Sequence, residues 1–221
     1  MRHELKHEIS YEDYLVIRSR LKHLVQADSH AGDAGVYRVR SLYFDNFSDQ
    51  ALREKLDGVD RREKFRIRYY NDDTDYIRLE KKSKIHGLCD KQSAVLTKEE
   101  VINICHGKID FLAKADHALL QEFYGKMKCR LLRPKTVVDY QREPYIYAPG
   151  NVRITFDSDI RTSIYQNRLF EEELLTAPTQ SVIIMEVKYD AFLPEIIRLA
   201  VQVPCRKAGA FSKYAVSRMY G

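Results

Sequence analysis

Cysteines are few in this sequence, and their spacing excludes two common roles. The 221 residues contain four of them, Cys89, Cys105, Cys129 and Cys205, with no CxxC pair and no histidine at metal-ligand spacing. A zinc site is therefore not expected, and a disulfide framework is typical of much shorter, secreted chains. We expect the four cysteines to be buried free thiols in a reducing cytosol.

Targeting segments and long apolar runs are also missing. The first residues, MRHELKHEI, are charged throughout, which is unlike a secretory signal. The longest apolar run, near residues 182–185, is far too short to span a bilayer. We therefore expect a soluble, cytoplasmic protein.

The sequence motifs of several common enzyme classes are absent as well. There is no Gly-rich phosphate loop, no Ser-His-Asp order and no HExxH motif. The histidines are scattered, and no chemical role is assigned to any of them. If the protein binds a ligand or catalyses a reaction, the residues responsible must lie in another pattern.

Charged and aromatic residues, in contrast, are abundant. Charged residues make up 31% of the chain and hydrophobic residues 44%, with fifteen Tyr, nine Phe and a net charge of +5. This composition can build a real core, and the mild positive excess favours an anionic partner without identifying it. No repeat, low-complexity segment or linker interrupts the chain, so we predict one domain over residues 1–221.

The stretch from Arg61 to Lys84 shows the main pattern most clearly. It is predicted to form two strands joined by a short acidic turn, and strand side chains alternate between two faces. Each strand has a row of charged residues on one face: Lys64, Arg66 and Arg68 on the first, and Arg78, Glu80, Lys82 and Lys84 on the second. Neighbouring rows of cations repel each other unless an anion lies over them.

Other predicted strands repeat this pattern. Three further strands have charged residues that share a face: Arg2, Glu4 and Lys6; Arg38 and Arg40, together with Leu42 and Phe44; and Glu186 with Lys188. Two more strands each contribute one arginine, Arg142 and Arg153. A further strand, 88–96, contains Lys91. For any single row, a solvated outer face is the better explanation, but the repetition favours rows that point into one closed barrel.

The predicted fold class is therefore α+β, an antiparallel β-barrel tunnel of seven or eight strands with flanking helices. Ser10 and Thr97 each begin a helix with an acid three residues later, as in a capping box. Further helices are predicted over Ser48–Leu56, Asp116–Leu131, Ala191–Val203 and the C-terminal AFSKYAVSRMYG. Pro134 is expected to end the helix that precedes it.

A tunnel lined in this way would suit long anions built of phosphate units. Arg binds phosphate oxygens in a bidentate manner and Lys binds them as a point charge. The interspersed glutamates would suit a divalent cation that bridges to phosphate oxygens, although Glu80 could instead orient Arg78 or Lys82. Nucleic acid is not expected, because the cations lie on strand faces opposite the aromatic residues, which is poor for base stacking.

Eight segments together resemble a known family. In chain order they are RHELKHEI, YRVRSLYFD, KFRIRYY, IRLEKKSK, YQREPY, VRITFD, IMEVKYD and FSKY. This series is similar to the VTC domain, the polyphosphate polymerase module of the vacuolar transporter chaperone complex, which also occurs in small bacterial proteins. The resemblance covers nearly the whole chain and implies the triphosphate tunnel (CYTH-like) fold. It further implies Mn²⁺ or Mg²⁺ as cofactor and transfer of the γ-phosphate of ATP to a growing polyphosphate chain.

The resemblance also implies residue roles. The phosphate path would be lined by Lys6, Arg66, Arg68, Lys82, Arg142 and Arg153. Further phosphate contacts are expected from the basic rows at Arg38, Arg40 and Lys91, and from the resemblance at Lys188, Ser212 and Lys213. The metal would be held by Glu186, with Glu80 and Glu4 as further candidate ligands.

Two positions depart from the family pattern, and alternatives to the polymerase stay open. Arg2 stands where the triphosphatase branch has the first glutamate of Glu-x-Glu-x-Lys, which favours the polymerase branch. Ala210 stands where the family often has a lysine. The alternatives are an inorganic triphosphatase-type hydrolase and a non-catalytic module that binds polyphosphate or a nucleotide. The expected partners are ATP or another triphosphate and polyphosphate, while a membrane-protein partner and the oligomeric state are left open.

Overall fold

A computed structural model of the protein describes residues 3–27, 31, 35–86, 88–163, 169–171, 177–178, 182–203, 207–208 and 211–218. The chain divides into two compact units, which are described separately here. The first unit comprises Met1–Arg38, Tyr140–Ile160 and Gln180–Ser212, and the second comprises Val39–Asp139, Arg161–Thr179 and Lys213–Gly221. The expectation of a single domain over residues 1–221 stays a prediction. Among the described residues, no helix has the length and apolar character needed to cross a membrane.

An antiparallel sheet forms the first unit. Its own elements are β1 (His3–Ile9), α1 (Tyr11–Leu21), β2 (Gln26–Ala27), β10 (Ile183–Tyr189), α5 (Glu195–Ala200) and β11 (Lys207–Ala208). Two long strands, β7 (Arg133–Tyr147) and β8 (Val152–Ser163), contribute their residues 140–147 and 152–160 to this unit. The strand order is β11-β1-β10-β8-β7.

Strand alternation gives the first unit one apolar and one polar sheet face. On β8, Ile154 and Phe156 are buried in the apolar core, and Thr155 between them points to the other face. Helices α1 and α5 add Ile17 and Ile197 to the same core, and both of these side chains are fully buried. Each such side chain contributes about 1.5–3 kcal/mol when it is fully buried. Ser10 begins α1, since its side chain accepts a hydrogen bond from the Asp13 backbone N–H at 3.1 Å.

A second antiparallel sheet region and most of the helices form the second unit. Its elements are β3 (Tyr37–Asp45, from Val39), α2 (Gln50–Leu56), β4 (Arg62–Tyr70), β5 (Asp73–Ile85), β6 (Leu88–Leu96), α3 (Lys98–Cys105), α4 (Ala118–Cys129), β9 (Ala177–Pro178) and α6 (Lys213–Ser217). The first residues of β7 and the last of β8 complete it, and the strand order is β7-β3-β4-β5-β6.

The core of the second unit contains the buried face of α4, a helix that was predicted from the sequence. Phe123 packs edge-on against Phe44 at 5.0 Å between ring centroids and stacks on Phe65 at 5.3 Å. The predicted hairpin is also confirmed: Asn71 and Asp72 have φ of 48° and 59°, as the two central residues of a tight turn between twisted strands require. The predicted capping box at the start of α3 is present in full.

Some predicted elements differ from those in the structure. Helix α4 ends at Cys129, and Pro134 is the second residue of β7, near a strand end where a missing N–H is tolerated. Helix α5 begins only after Pro194, because the residue before a proline is disfavoured in helical conformation. The C-terminal helix is limited to Lys213–Ser217 among the described residues.

The thiol state of three cysteines is as predicted, but their burial is not. Cys89, Cys105 and Cys129 are free, yet Cys89 and Cys105 are only half-buried and Cys129 is exposed. Cys129 is the last residue of α4 and is not among its buried residues, which are Leu119, Leu120, Phe123 and Met127. Cys205 lies outside the described residues.

Candidate functional site

The polar sheet face of the first unit has a compact group of charged residues. Strand pairing places Glu186 of β10 directly between Lys6 of β1 and Thr155 of β8. The next row of the same face has Glu4, Lys188 and Arg153 in register. Side chains in register on neighbouring strands are close enough to interact. We name this group the first cluster; its residues are Glu4, Lys6, Arg142, Arg153, Thr155, Asp157, Glu186 and Lys188.

Ion pairs connect the first cluster around Glu186. The Lys188 Nζ atom lies 2.8 Å from one Glu186 oxygen, and the Arg142 Nη2 atom lies 3.8 Å from the other. Arg142 also donates two hydrogen bonds to Asp157, at 2.6 and 2.8 Å. The Lys6 Nζ atom is 2.7 Å from Glu4 and 4.0 Å from Glu186. Six charged members of the cluster therefore each have a neighbour of opposite sign close by: Glu4, Lys6, Arg142, Asp157, Glu186 and Lys188.

Burial and charge act against each other in the first cluster. Burial alone would raise the pKa of the Glu186 carboxyl, but Lys6, Lys188 and Arg142 outweigh it and hold that pKa well below its usual range. For Lys188 the balance is reversed, because burial lowers the pKa of its ammonium more than the nearby glutamates raise it. Glu186 is therefore a fully charged, buried carboxylate, which is a suitable ligand for a hard cation.

Thr155 is the one residue of this row without a charge, and its hydroxyl is not satisfied by the protein. The side chain is 4% exposed, and its Oγ1 atom has no hydrogen-bond partner among the described residues. A buried hydroxyl without a partner costs free energy, and such groups call for a specific explanation. Here the hydroxyl lies beside Glu186 in a charged cluster, so a bound ligand would explain it.

The second unit has a different group on the polar face of β4, β5 and β6. Three in-register rows cross these strands: Lys64, Lys82 and Lys91; Arg66, Glu80 and Ser93; and Arg68, Arg78 and Val95. We name the charged members of these rows the second cluster. It contains six cations and one carboxylate, Glu80. Like charges directly opposite each other destabilise a sheet, so the row of three lysines is a cost to the fold.

Glu80 is the hub of the second cluster. Its carboxylate is 3% exposed and accepts a hydrogen bond from the Arg66 Nε atom at 2.7 Å. Lys91 forms an ion pair with the other carboxylate oxygen, and Arg68 lies 3.9 Å away. Burial would raise the pKa of Glu80, but these three cations hold it far below its usual range. Arg68 is itself fixed by a 2.8 Å hydrogen bond to Ser41.

Tyr43 of β3 lies against the second cluster. Arg66 donates a hydrogen bond to its hydroxyl at 3.2 Å, and the ring stacks on Tyr214 at 5.2 Å. Burial alone would raise the pKa of Tyr43, but Arg66, Lys64 and Arg68 outweigh it and lower that pKa to about 7. Tyr43 is therefore a phenol that can supply a negative charge to this cluster near neutral pH.

The grouping of Arg40 with the other cations is wrong. Arg40 is 2% exposed and points into the apolar core face, where it is in register with Tyr69. Its Nε atom donates to Asp139 at 2.9 Å, and its Nη1 atom donates to the Leu169 carbonyl at 3.0 Å. The physical reason is strand alternation, since Arg40 shares its face with Leu42 and Phe44, and that face is covered by core residues. Asp139 takes the place of the expected anion.

Three other predicted phosphate contacts lie outside the two clusters. Arg38 is half-buried and, by alternation, lies on the Arg40 side of β3. Ser212 is 8% exposed, and Lys213 is the first residue of α6. All the remaining predicted site residues are members of one cluster or the other: Glu4, Lys6, Arg142, Arg153, Glu186 and Lys188 in the first, and Arg66, Arg68, Glu80, Lys82 and Lys91 in the second. Their roles stay predictions.

Sequence analysis gave no role to Thr155 or Tyr43. The strand pattern predicts that Thr155 shares a face with Arg153 and Asp157, but a threonine between charged residues does not by itself indicate a role. Tyr43 has no signal of this kind, since fifteen tyrosines are spread through the chain and only strand pairing brings this one beside Arg66.

In each unit, helices pack on the apolar face of antiparallel strands and charged rows lie on the polar face. The VTC domain family model matches residues 1–220, and the chain belongs to this family. A search of the curated proteins gave no match.

Comparison with solved structures agrees with the predicted fold class. A putative adenylate cyclase from Bacillus halodurans is 12% identical, with a TM-score of 0.51 over 89% of this chain and 83% of that chain. This likeness confirms the triphosphate tunnel fold, an antiparallel β fold with flanking helices. Two archaeal proteins also match: the PH1819 protein from Pyrococcus horikoshii OT3 (13% identity, TM-score 0.44, 91% and 84% covered) and a conserved hypothetical protein from Pyrococcus furiosus (11%, 0.46, 91% and 86%).

Proposed function

We propose that this protein is a metal-dependent phosphotransferase that binds the triphosphate of ATP and transfers its γ-phosphate to a polyphosphate chain. The observation that carries the proposal is the composition of the second cluster, with six cations around a single carboxylate on three adjacent strands. Anionic charge over such a surface would relieve the repulsion between its cations. Membership of the VTC domain family supports phosphate chains as that anion.

The cations would act by holding and neutralising phosphate groups. In the reaction, a terminal oxygen of the acceptor polyphosphate attacks the γ-phosphorus of ATP. The bond from that phosphorus to the β–γ bridging oxygen breaks, and ADP leaves with the electron pair. The attacking oxygen is already anionic, so no general base is needed, and catalysis rests on positioning and charge stabilisation. Arg66 and Arg68 are the best placed for this, because Glu80 and Ser41 fix their orientation.

The first cluster fits the divalent cation that the family implies. Mg²⁺ is usually bound in proteins by one or two carboxylates together with substrate phosphates. Glu186 and Glu4 would supply the carboxylates, since both lie beside the Lys6 Nζ atom, Glu4 at 2.7 Å and Glu186 at 4.0 Å. The unsatisfied Thr155 hydroxyl would add a third oxygen. When bound, Mn²⁺ or Mg²⁺ would offset charge on the phosphate oxygens.

Glu80 fits the metal less well. It is the single carboxylate of the second cluster, whereas the first cluster has Glu4 and Asp157 in addition to Glu186. The described residues contain no group of three or more His, Cys, Asp or Glu side chains around one point. We therefore assign Glu80 to the orientation of Arg66 and Arg68 and assign the metal to Glu186 and Glu4.

The purified protein incubated with ATP and Mn²⁺ tests the proposal. Growth of a polyphosphate ladder on a gel supports a polymerase, phosphate release without a ladder indicates a hydrolase, and binding without turnover indicates a non-catalytic module. Arg66→Ala should weaken triphosphate binding about 10- to 100-fold, as expected for the loss of charged hydrogen bonds. Arg53→Ala is the matched control, since Arg53 is exposed on α2, outside both clusters. Equal affinities of the two variants would contradict the assignment of the second cluster.

A further inference from the structure

The charge of the side chains changes sign along strand β5. Asp73 is its first residue and Asp72 precedes it in the turn, Tyr76 and Arg78 follow, and Lys82 lies further along. Tyr76, Arg78, Glu80 and Lys82 share one face because side chains alternate. Tyr76 therefore lies on the cationic face, between Arg78 and the end of β5 where Asp72 and Asp73 lie.

Tyr76 and Arg78 form an exposed pair at this boundary. The Arg78 guanidinium lies 4.4 Å from the centroid of the Tyr76 ring, within the range of a cation–π contact. The Tyr76 side chain is 44% exposed, and the in-register neighbour of Arg78 on β6, Val95, is 60% exposed. A tyrosine ring, a guanidinium plane and an aliphatic side chain thus lie together in contact with solvent.

Arg78 has little bonding of its own within the protein. Its Nη1 atom is 3.4 Å from the Ser93 hydroxyl, and its buried Nε atom has no hydrogen-bond partner among the described residues. On β4, the residue in register with Arg78 is Arg68, another cation. In the described part of the chain, no carboxylate forms an ion pair with Arg78. The guanidinium face that Tyr76 does not cover is therefore available to a ligand.

We propose that Tyr76 and Arg78 form a subsite for the base of a nucleoside triphosphate, with its phosphates extending towards Arg66 and Lys82. The proposal rests on the proposed function, since it concerns the donor that the second cluster binds. Tyrosine rings and arginine planes both stack on nucleobases, with little dependence on the base. From Tyr76 to the row of Arg66 and Glu80 is four residues, about 13 Å along a strand, which is the length scale of a nucleoside triphosphate.

The charge polarity of β5 favours a base over further phosphates at this position. A phosphate chain that continued past Arg78 would meet Asp72 and Asp73, which repel it. A nucleobase is neutral and planar, and it can lie over Tyr76 without that penalty. A nucleotide bound in this direction has its charged part over the cations and its neutral part at the acidic end.

Calorimetric titration of the whole protein with ATP and with inorganic triphosphate tests this subsite. Tyr76→Ala should weaken ATP binding about tenfold and leave the affinity for inorganic triphosphate unchanged. Tyr76→Phe keeps the aromatic ring and should bind both ligands as the wild type does. Tyr11→Ala is the control, because Tyr11 is a 62% exposed tyrosine of α1 in the first unit.

The two ligands separate the outcomes. Unchanged ATP binding by Tyr76→Ala overturns the subsite, and so does an equal loss for both ligands. In either case, wild-type binding of inorganic triphosphate still supports the proposed function. If the wild-type protein binds neither ligand, the proposed function and the subsite are both overturned.

Discussion

The two charged clusters follow the same strand alternation but differ in charge balance. The first cluster has four cations and three carboxylates: Lys6, Arg142, Arg153 and Lys188 against Glu4, Asp157 and Glu186. The second has six cations and one carboxylate. A basic row in a sequence can therefore belong to a nearly neutral site or to a strongly positive one, depending on what the neighbouring strands place beside it.

The difference separates two kinds of chemistry. In the first cluster, the cations largely neutralise the carboxylates, and oxygen ligands remain for a hard cation. In the second, the single carboxylate orients arginines, and cations outnumber it six to one. The proposed function accordingly assigns metal binding to the first cluster and phosphate binding to the second, and the following variants can break or sharpen that proposal.

The largest expected effect comes from Arg40, a residue that belongs to neither cluster. Arg40→Met removes the buried ion pair between Arg40 and Asp139 and should lower the free energy of unfolding by about 3–5 kcal/mol. Urea denaturation measures this change. Triphosphate affinity, measured where the variant is still folded, should be unchanged. A stable variant with weakened triphosphate binding would return Arg40 to the anion site.

The next largest effect is expected from neutralising the central carboxylate of each cluster in turn. Glu186→Gln removes a charged oxygen ligand and should weaken Mn²⁺ binding about 100-fold or more. Glu80→Gln should leave Mn²⁺ affinity unchanged. It should tighten triphosphate binding, because the second cluster becomes more positive by one charge. Titration of both variants with Mn²⁺ and with inorganic triphosphate gives the four affinities.

If Glu186→Gln and Glu80→Gln change the Mn²⁺ and triphosphate affinities in the same way, the distinction between the clusters is lost. If both variants lose Mn²⁺ binding, Glu80 is a metal ligand after all. Thr155→Val refines the same test, since the loss of its hydroxyl should weaken Mn²⁺ binding while Thr155→Ser retains it. Thermal unfolding of each variant identifies effects that arise from folding alone.

The smallest expected effect concerns Tyr43 and pH. Below pH about 7 the phenol is neutral, and above it the phenolate offsets one positive charge of the second cluster. Triphosphate affinity should therefore fall several-fold as pH rises through about 7. Tyr43→Phe should remove this part of the pH dependence, and the difference between the two proteins cancels the titration of the ligand itself.

Stability should change in the opposite direction. The pKa of Tyr43 is lower in the folded than in the unfolded chain, so its ionisation stabilises the fold above the folded value. Relative to Tyr43→Phe, this stabilisation is lost as pH falls through about 7. Ultraviolet absorption of tyrosinate follows the ionisation directly. A tyrosinate signal that appears only at strongly alkaline pH in both proteins would exclude the effect.

Local patterns in the sequence were sufficient for much of the fold. The hairpin of β4 and β5, the cap at Thr97 and the apolar face of α4 all depend on interactions within a few residues of each other. The end of α4 and the start of α5 were predicted less well. There a proline signalled a boundary without giving its position, because the surrounding packing decides which residues stay helical.

In the candidate site, too, the sequence predicted what depends on one strand and missed what depends on contacts between distant strands. Alternation correctly placed Lys64, Arg66 and Arg68 on one face of β4. It also placed Arg40 with Leu42 and Phe44, but it gave no sign that this face is the core and that Asp139, ninety-nine residues away, neutralises the charge. The unsatisfied hydroxyl of Thr155 likewise depends on neighbours from other strands.

The sequence by itself thus determined the period of the longer strands, the caps of two helices and the family of the chain. Only the tertiary structure decided which face of each strand is covered, which cations lie beside carboxylates and which lie beside one another. The physical reason is that alternation depends on the geometry of one strand, whereas burial and charge balance depend on strand register between segments far apart in the chain. For the second cluster, that register converted three ordinary basic strands into a surface with six cations around Glu80.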